Sequence, residues 1–510
     1  MHFLDNLAIH VISHPEKIAL RVDEDQISYG DLSRLATRVR RALREAGITA
    51  GDRVAFYARP DIPVLAAIVG VLQECCVMVT VHHSFSLDKL RVQIEDSGAR
   101  YVITDQVSGA NSVLGRTNIA GILDLNTVKA WLSEEGFSNE SSHAPIDADF
   151  DGNSIGAIFF TTGSVSKPKG AVVTHRNMIA AFRAVSAYLG ICENDVVLNF
   201  STFATDFGFY SVLIPILLGG TAVISTRSGS NPREIPSMIE RCNVTAIHIF
   251  PPTLVDLLSV PDLNTFPTTG IRYMLSSGQQ LPVRDIARLR AIWPEVKVFS
   301  SYGMTECKRV TYLPPEQIDI RPASVGKAIP GVRTYLIDDD ENLIRNAGMT
   351  GELAVSGELV MAGYWNMPEE NERRFRFDVF GESRVFLTGD LFRMDEEGYL
   401  YYVARKDDVF SRNMFKVNPR EVEEHLRLLP DIVDVAVVPV PDARQGVVPR
   451  ACVVLNPGSS LTADGVIEHC VAGLDWQMIP AQVVFMAALP RTESGKIATR
   501  CLSADIPLMQ

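Results

Sequence analysis

At 510 residues the chain exceeds what one hydrophobic core usually fills, so at least two domains are expected. Hydrophobic content of 46% and a mean hydropathy of +0.10 fit a globular protein with a large interior. The formal charge of −13 argues against a nucleic-acid partner, whose phosphates would be repelled.

Eight cysteines are scattered without a C-x-x-C pair, and Cys75 and Cys76 are adjacent, a spacing that rarely forms a disulfide. Reduced thiols and a cytoplasmic location are the expectation. The amino terminus carries Asp5 and no continuous apolar core, so it does not read as a signal peptide, and no run of eighteen apolar residues suggests a membrane span.

In chain order, 31-DLSRLATRVRRALREAGI-48 places Leu32, Leu35, Ala36, Val39, Ala42, Leu43 and Ala46 at helical spacing, with Gly47 as the stop. The runs 53-RVAFY-57, 62-IPVLAAIVGVL-72 and 77-VMVTV-81 then alternate as strand, helix and strand, which predicts helices packed on a sheet. His82 and His83 have no third ligand at a sensible spacing and receive no role. Residues 106–150 are polar and rich in Gly, Ser and Asn, and are expected to be loop-laden. A helix is predicted over 176–190, and short β-rich runs at 196–200, 221–225, 244–250, 271–275 and 296–300 imply a second α/β layer with loops at strand ends. From about Arg333 the texture changes to short strands with Gly, Asp and Asn turns. A smaller unit follows, with a helix at 419–429 and strands at 433–440, 451–455 and 482–487. The expected boundary separates residues 1–403 from 404–510, and the chain stops soon after Lys496, so no fused carrier domain is expected.

Chemistry concentrates in 155-IGAIFFTTGSVSKPKGAVVTH-175, an apolar β-run, a polar loop and a second β-run. Gly163 lets backbone N–H groups approach anionic oxygens, Thr161, Thr162 and Ser164 add hydroxyls, and Lys167 and Lys169 supply charge. This is a phosphate cradle in outline, without the Walker spacing. Five further stretches stand out: 276-SSGQQLP-282, 301-SYGMTE-306, 388-TGD-390, 404-ARKDDVFSRNMFKVNPREVE-423 and 490-PRTESGKIATR-500.

Together and in this order the six stretches resemble the motifs of the AMP-forming adenylating superfamily: acyl-CoA synthetases, nonribosomal-peptide adenylation domains and luciferases. The stretches 27-ISYGDL-32, 50-AGDRVAF-56 and 93-QIEDSGARYVITD-105 extend the likeness to the amino-terminal part. The resemblance implies an α/β fold, with a large N-terminal domain of two α/β layers plus a small β-barrel-like subdomain, and a small mobile C-terminal α+β domain. It implies ATP and Mg²⁺ as cofactors, a carboxylic acid as substrate, and CoA or a separate phosphopantetheine carrier protein as partner.

Carried over residue by residue, the resemblance assigns ATP contacts to Thr161, Thr162, Gly163, Ser164, Lys169, Ser277, Gly278, Gln279, Tyr302, Gly303, Met304, Asp390 and Arg405. Tyr302 would stack on adenine, Thr305 would contact the α-phosphate, Glu306 would hold the metal, and Asp390 would grip the ribose hydroxyls. Lys496 would stabilise charge growing during attack, and Asp407 would be the hinge. Val165, Ser166, Ala404, Ser411 and Met414 depart from the pattern. The acyl pocket would use Asp206, Phe207, Tyr210, Ile249, Leu275, Ser277, Ser301, Arg309 and Val310. Asp206 falls where adenylation domains bind a substrate ammonium, so an amino acid is the preferred acid. A fatty or aryl acid, with Arg309 neutralising Asp206, is the alternative, and a non-catalytic nucleotide-binding homologue is a third reading.

Overall fold

The computed structural model describes residues 2–115, 119–137, 151–161, 168–226, 232–266, 270–279, 281–412, 415–442, 445–491 and 497–503. The chain divides into two compact units. The first comprises Met1–Thr161, Lys167–Thr334 and Val355–Phe386, and the second Thr162–Ser166, Tyr335–Ala354 and Leu387–Gln510.

Within the first unit, two mixed sheets carry the expected layers. One has, among the described residues, seven strands in the order Gly363–Tyr364, Lys169–Thr174, Ile155–Thr161, Val77–Val81, Arg53–Tyr57, Tyr101–Thr104 and Gly121–Asp124. The other has nine, in the order Lys327–Ala328, Thr311–Leu313, Lys297–Tyr302, Tyr273–Ser276, Ala246–Ile249, Val196–Asn199, Thr221–Ile224, Ile18–Val22 and Asp25–Ser28. The apolar runs named from sequence form its central parallel strands, because a strand covered on both faces needs no polar alternation. Its edge is built by Ile18–Val22 and Asp25–Ser28, a hairpin from the start of the chain.

The helix predicted over 31–48 runs from Tyr29 to Glu45, capped by the Ser28 hydroxyl, and buries Leu32, Leu35, Ala36, Val39 and Leu43. The helix Ile62–Gln73 is buried along its whole length, as its uniformly apolar sequence requires. Of the range 106–150, the described residues 106–115 and 119–137 are more regular than expected. Helices Val107–Leu114 and Leu125–Ala130 flank Gly121–Asp124, which pairs in parallel with Tyr101–Thr104. Pieces this short carry too few periods to stand out in a polar sequence, and pairing with an existing sheet edge supplies the order.

In the second unit, Ile432–Asp442 pairs antiparallel with Gly446–Leu455, which pairs in parallel with Gln482–Phe485. Alternation splits the central strands between two faces: Val435, Val437 and Val453 pack with Val422, Leu426 and Cys470 of helices Pro419–Leu426 and Ala463–Gly473, whereas Ala436, Val438 and Cys452 pack with Leu489 and Leu502. No disulfide joins any of the eight cysteines, all of which lie among the described residues. No helix among the described residues is long and apolar enough to cross a membrane.

Candidate active site

The parallel strands of the nine-stranded sheet end in register, pairing Ile249 with Ser276 and Ser276 with Ser300. This brings together the loops that follow them, the usual place for a site in a parallel sheet. The Ser301 hydroxyl donates to the Ser276 carbonyl at 3.2 Å, tying the 276–279 loop to the strand that leads into Tyr302.

From Tyr302 the chain turns back on itself. Val310 N–H donates to the Tyr302 carbonyl at 2.9 Å, and Cys307 N–H to the Met304 carbonyl at 2.9 Å. Gly303 is required by this turn, because a Cβ there would lie 2.0 Å from the Lys308 carbonyl oxygen. Thr305 Oγ1 donates to Asp206 Oδ1 at 3.3 Å. Asp206 is half-buried at the first turn of helix Asp206–Leu217, where the helix dipole favours a carboxylate, and Thr205 caps that helix by accepting from Gly208 N–H. Glu306 is buried, and its Oε1 accepts from the Tyr364 hydroxyl at 2.7 Å.

Lys308, which the motif reading passed over, lies in the same turn. Its side chain is buried, and Nζ donates to the Thr305 carbonyl at 2.8 Å while facing the rings of Phe159 at 4.6 Å and Tyr210 at 5.9 Å. Burial pushes its ammonium down to about 8, against the opposing pull of the Asp206 and Glu306 carboxylates. Arg309 is buried with its guanidinium over the Phe207 ring at 4.6 Å, and it makes no ion pair with Asp206 among the described residues. Tyr210, Leu275, His248, Lys308 and Arg309 line a small cavity reached by helices His175–Leu189 and Asp206–Leu217. Ile249 and Val310 are buried beside these elements without lining it.

The phosphate-loop strands pair as expected, with Thr161 opposite Lys169. Thr162, Gly163 and Ser164 lie outside the described residues, as do Met414 and Lys496. Lys169 Nζ donates to Glu370 Oε1 at 2.6 Å and sits 5.3 Å from the Tyr364 ring. Burial pushes the Glu370 carboxyl up, but hydrogen bonds from Lys169, Arg373 and Arg374 outweigh it and bring it down to about 2. Tyr364 and Glu370 were thus missed, and their only sequence signals were the aromatic pair Tyr364-Trp365 and an acidic helix start at Pro368.

In the second unit, Asp390 and Arg405 face each other across paired strands, and Arg405 Nε donates to Asp390 Oδ1 at 3.1 Å. Asp390 is held by its neighbours: Thr388 Oγ1 donates to the Leu353 carbonyl at 2.8 Å and accepts from Asp390 N–H at 3.1 Å. Asp407 lies on the exposed turn that follows Arg405.

The comparisons with known proteins agree with the fold. Residues 8–365 match the model of the AMP-binding enzyme family, and residues 421–496 match the AMP-binding enzyme C-terminal domain. The chain belongs to the AMP-binding enzyme family. The ATP-bound MatB structure from Rhodopseudomonas palustris is 25% identical with a TM-score of 0.88, covering 99% of this chain and 98% of that one. The long-chain-fatty-acid–CoA ligase of Escherichia coli O157:H7 is 27% identical over 89% of this chain and 85% of its own. Malpinin synthetase of Mortierella alpina is 28% identical over 97% of this chain. The chain spans only 6% of that relative's length. The o-succinylbenzoate CoA synthetase of Bacillus subtilis in complex with its acyl-adenylate shares the fold, with a TM-score of 0.86 at 24% identity over 99% of each chain.

Proposed function

We propose that this AMP-binding enzyme activates a carboxylic acid with ATP, releasing pyrophosphate and forming an acyl adenylate, and then passes the acyl group to a pantetheine thiol of CoA or a carrier protein. The observation that carries the reading is the linked set Asp206, Thr305, Lys308, Glu306 and Tyr364, held at the ends of parallel strands by hydrogen bonds of 3.3, 2.8 and 2.7 Å. Glu306 suits Mg²⁺, since it is a buried hard-oxygen donor whose Oε1 is oriented by Tyr364. Mg²⁺ bound there offsets the negative charge of the phosphates. Tyr302 stacks on adenine, Thr305 meets the α-phosphate, Asp390 holds the ribose with Arg405 beside it, and Lys496 stabilises the charge of the transition state. Lys169 reaches the phosphates on release from Glu370. The small domain begins at 404 and turns about Asp407.

The acid follows from Lys308. A half-buried Asp206 needs a cation, and that need favours an amino-acid substrate only when the protein supplies none. Lys308 is a buried cation supplied by the protein whose proton affinity the Asp206 carboxylate raises against the effect of burial, although the two form no ion pair among the described residues. An acid without an α-ammonium group is the better fit. The amino-acid reading retains one observation in its favour: Asp206 is only half-buried at its helix start.

Pyrophosphate exchange over matched amino, aryl and fatty acids tests both points. Exchange is expected with acids lacking the amine, and Lys496→Ala should lower it by roughly 10²–10³-fold while ATP still binds. Equal exchange by variant and wild type removes Lys496 from the chemistry, and exchange confined to amino acids restores the ammonium role of Asp206.

A further inference from the structure

We propose that the acid activated here carries a second carboxylate, and that this group is received by the Arg309 guanidinium in the cavity it shares with Tyr210, Leu275 and His248. The inference rests on the adenylation reading above and names the substrate class for that site.

Arg309 is buried, and its Nε has no hydrogen-bond partner among the described residues. No ion pair offsets its charge among them either. The tyrosines and the histidine around it are neutral near pH 7. Burial pushes the Tyr188 phenol up to about 12 and the Tyr210 phenol well above its usual range. Burial and the nearby Arg309 push the His248 imidazole down to about 3, and its ring nitrogens are engaged with Ser211 Oγ at 2.9 Å and the Tyr273 hydroxyl at 3.2 Å. Lys308 adds a second cation rather than a counterion, and its ammonium is already held by the Thr305 carbonyl. Asp206 is engaged by Thr305 and acts on Lys308. A buried guanidinium stacked on Phe207 and ringed by neutral hydroxyls is therefore an uncompensated charge facing a cavity. Such a charge persists when its counterion arrives with the ligand. The planar fork of arginine matches a carboxylate through two parallel hydrogen bonds; the Tyr188 hydroxyl lies beside the guanidinium and interacts with it, and the Tyr210 hydroxyl, without a partner among the described residues, is an additional donor.

The test is pyrophosphate exchange on matched pairs: adipate against its monomethyl ester and hexanoate, and benzene-1,2-dicarboxylate against benzoate. Wild type should favour the free diacid in kcat/KM by on the order of 10²-fold, because the uncharged analogue leaves the guanidinium unpaired. Arg309→Leu should reverse the preference, and Arg309→Lys should keep it with a higher KM, since charge remains without the fork. Should Arg309→Leu fail to fold, the wild-type pairs still decide. A wild-type preference for the monoacids or the ester, or an unchanged ratio in a folded Arg309→Leu, overturns the second carboxylate and leaves adenylation standing. Exchange with no acid at all, while ATP binds, overturns the adenylation reading and this inference with it.

Discussion

A lysine buried to 1% exposure must be held by something other than water, and Lys308 is held by the Thr305 carbonyl, two aromatic faces and the field of Asp206 and Glu306. Its folded-state value of about 8 lies below the ordinary 10.5, so between these values the unfolded chain keeps a proton that the folded protein has shed. Stability contributed at this position therefore rises as pH rises from 8 toward 10.5, by at most about 1.4 kcal/mol per pH unit. Urea denaturation of wild type and Lys308→Met between pH 7 and 10 should give a difference that shifts in favour of wild type across that window. A pH-independent difference would mean that Lys308 stays charged throughout. The burial of Lys308 was not legible in sequence, because a Lys-Arg pair after a Glu ordinarily marks a solvated turn, and the placement of Phe159 and Tyr210 beside it is set by the fold.

At the level of elements, the helix Asp206–Leu217 and the loop before it must be packed tightly for Asp206 to meet Thr305. A Cβ at Gly208 would lie 2.1 Å from the Thr202 carbonyl oxygen and 2.8 Å from its carbon, both backbone atoms that cannot rotate aside. Gly208→Ala is expected to cost roughly 1–3 kcal/mol in stability, the usual penalty of overpacking, and to raise KM for the acid by displacing residues 201–206. Thermal melting and exchange kinetics check the two effects. A variant with wild-type melting and KM would mean that the loop gives way freely. The motif reading located the Tyr302–Glu306 turn correctly because its geometry is local: the glycine, the turn and the carboxylate lie within five residues. It overlooked the short strand Gly363–Tyr364, whose pairing with Lys169–Thr174 delivers Tyr364 to Glu306 and Glu370 to Lys169.

For the whole molecule, the proposed activity consists of two half-reactions, and a departure at one position should affect them unequally. Met414 replaces the glycine of the family pattern in the loop that resemblance assigns to the pantetheine path. An unbranched thioether side chain obstructs such a path without closing it. Met414→Gly should therefore leave pyrophosphate exchange unchanged and speed acyl transfer to CoA or a carrier protein by up to about tenfold, the effect of relieving ~1.4 kcal/mol. Single-turnover transfer from the preformed adenylate measures this step. No change in either half-reaction would place Met414 outside the path.

The sequence by itself determined the α/β class and the β-rich runs whose ends lie at the candidate site, and resemblance of its short motifs marked Thr305, Glu306, Asp390 and Arg405 as candidates, because hydrophobic periodicity and short motifs are properties of neighbouring residues. Tertiary structure alone decided which charges meet. Glu306 acquires the Tyr364 hydroxyl from 58 residues away, Lys169 acquires Glu370 from 201 residues away, and Thr305 joins Asp206 across 99. The sequence could propose that Arg309 neutralises Asp206. Only the fold buries Lys308 within the field of Asp206 and stacks Arg309 on Phe207 facing a cavity, with no Arg309–Asp206 ion pair among the described residues. Electrostatic pairing depends on distance and burial, and neither is written in the spacing of residues along the chain.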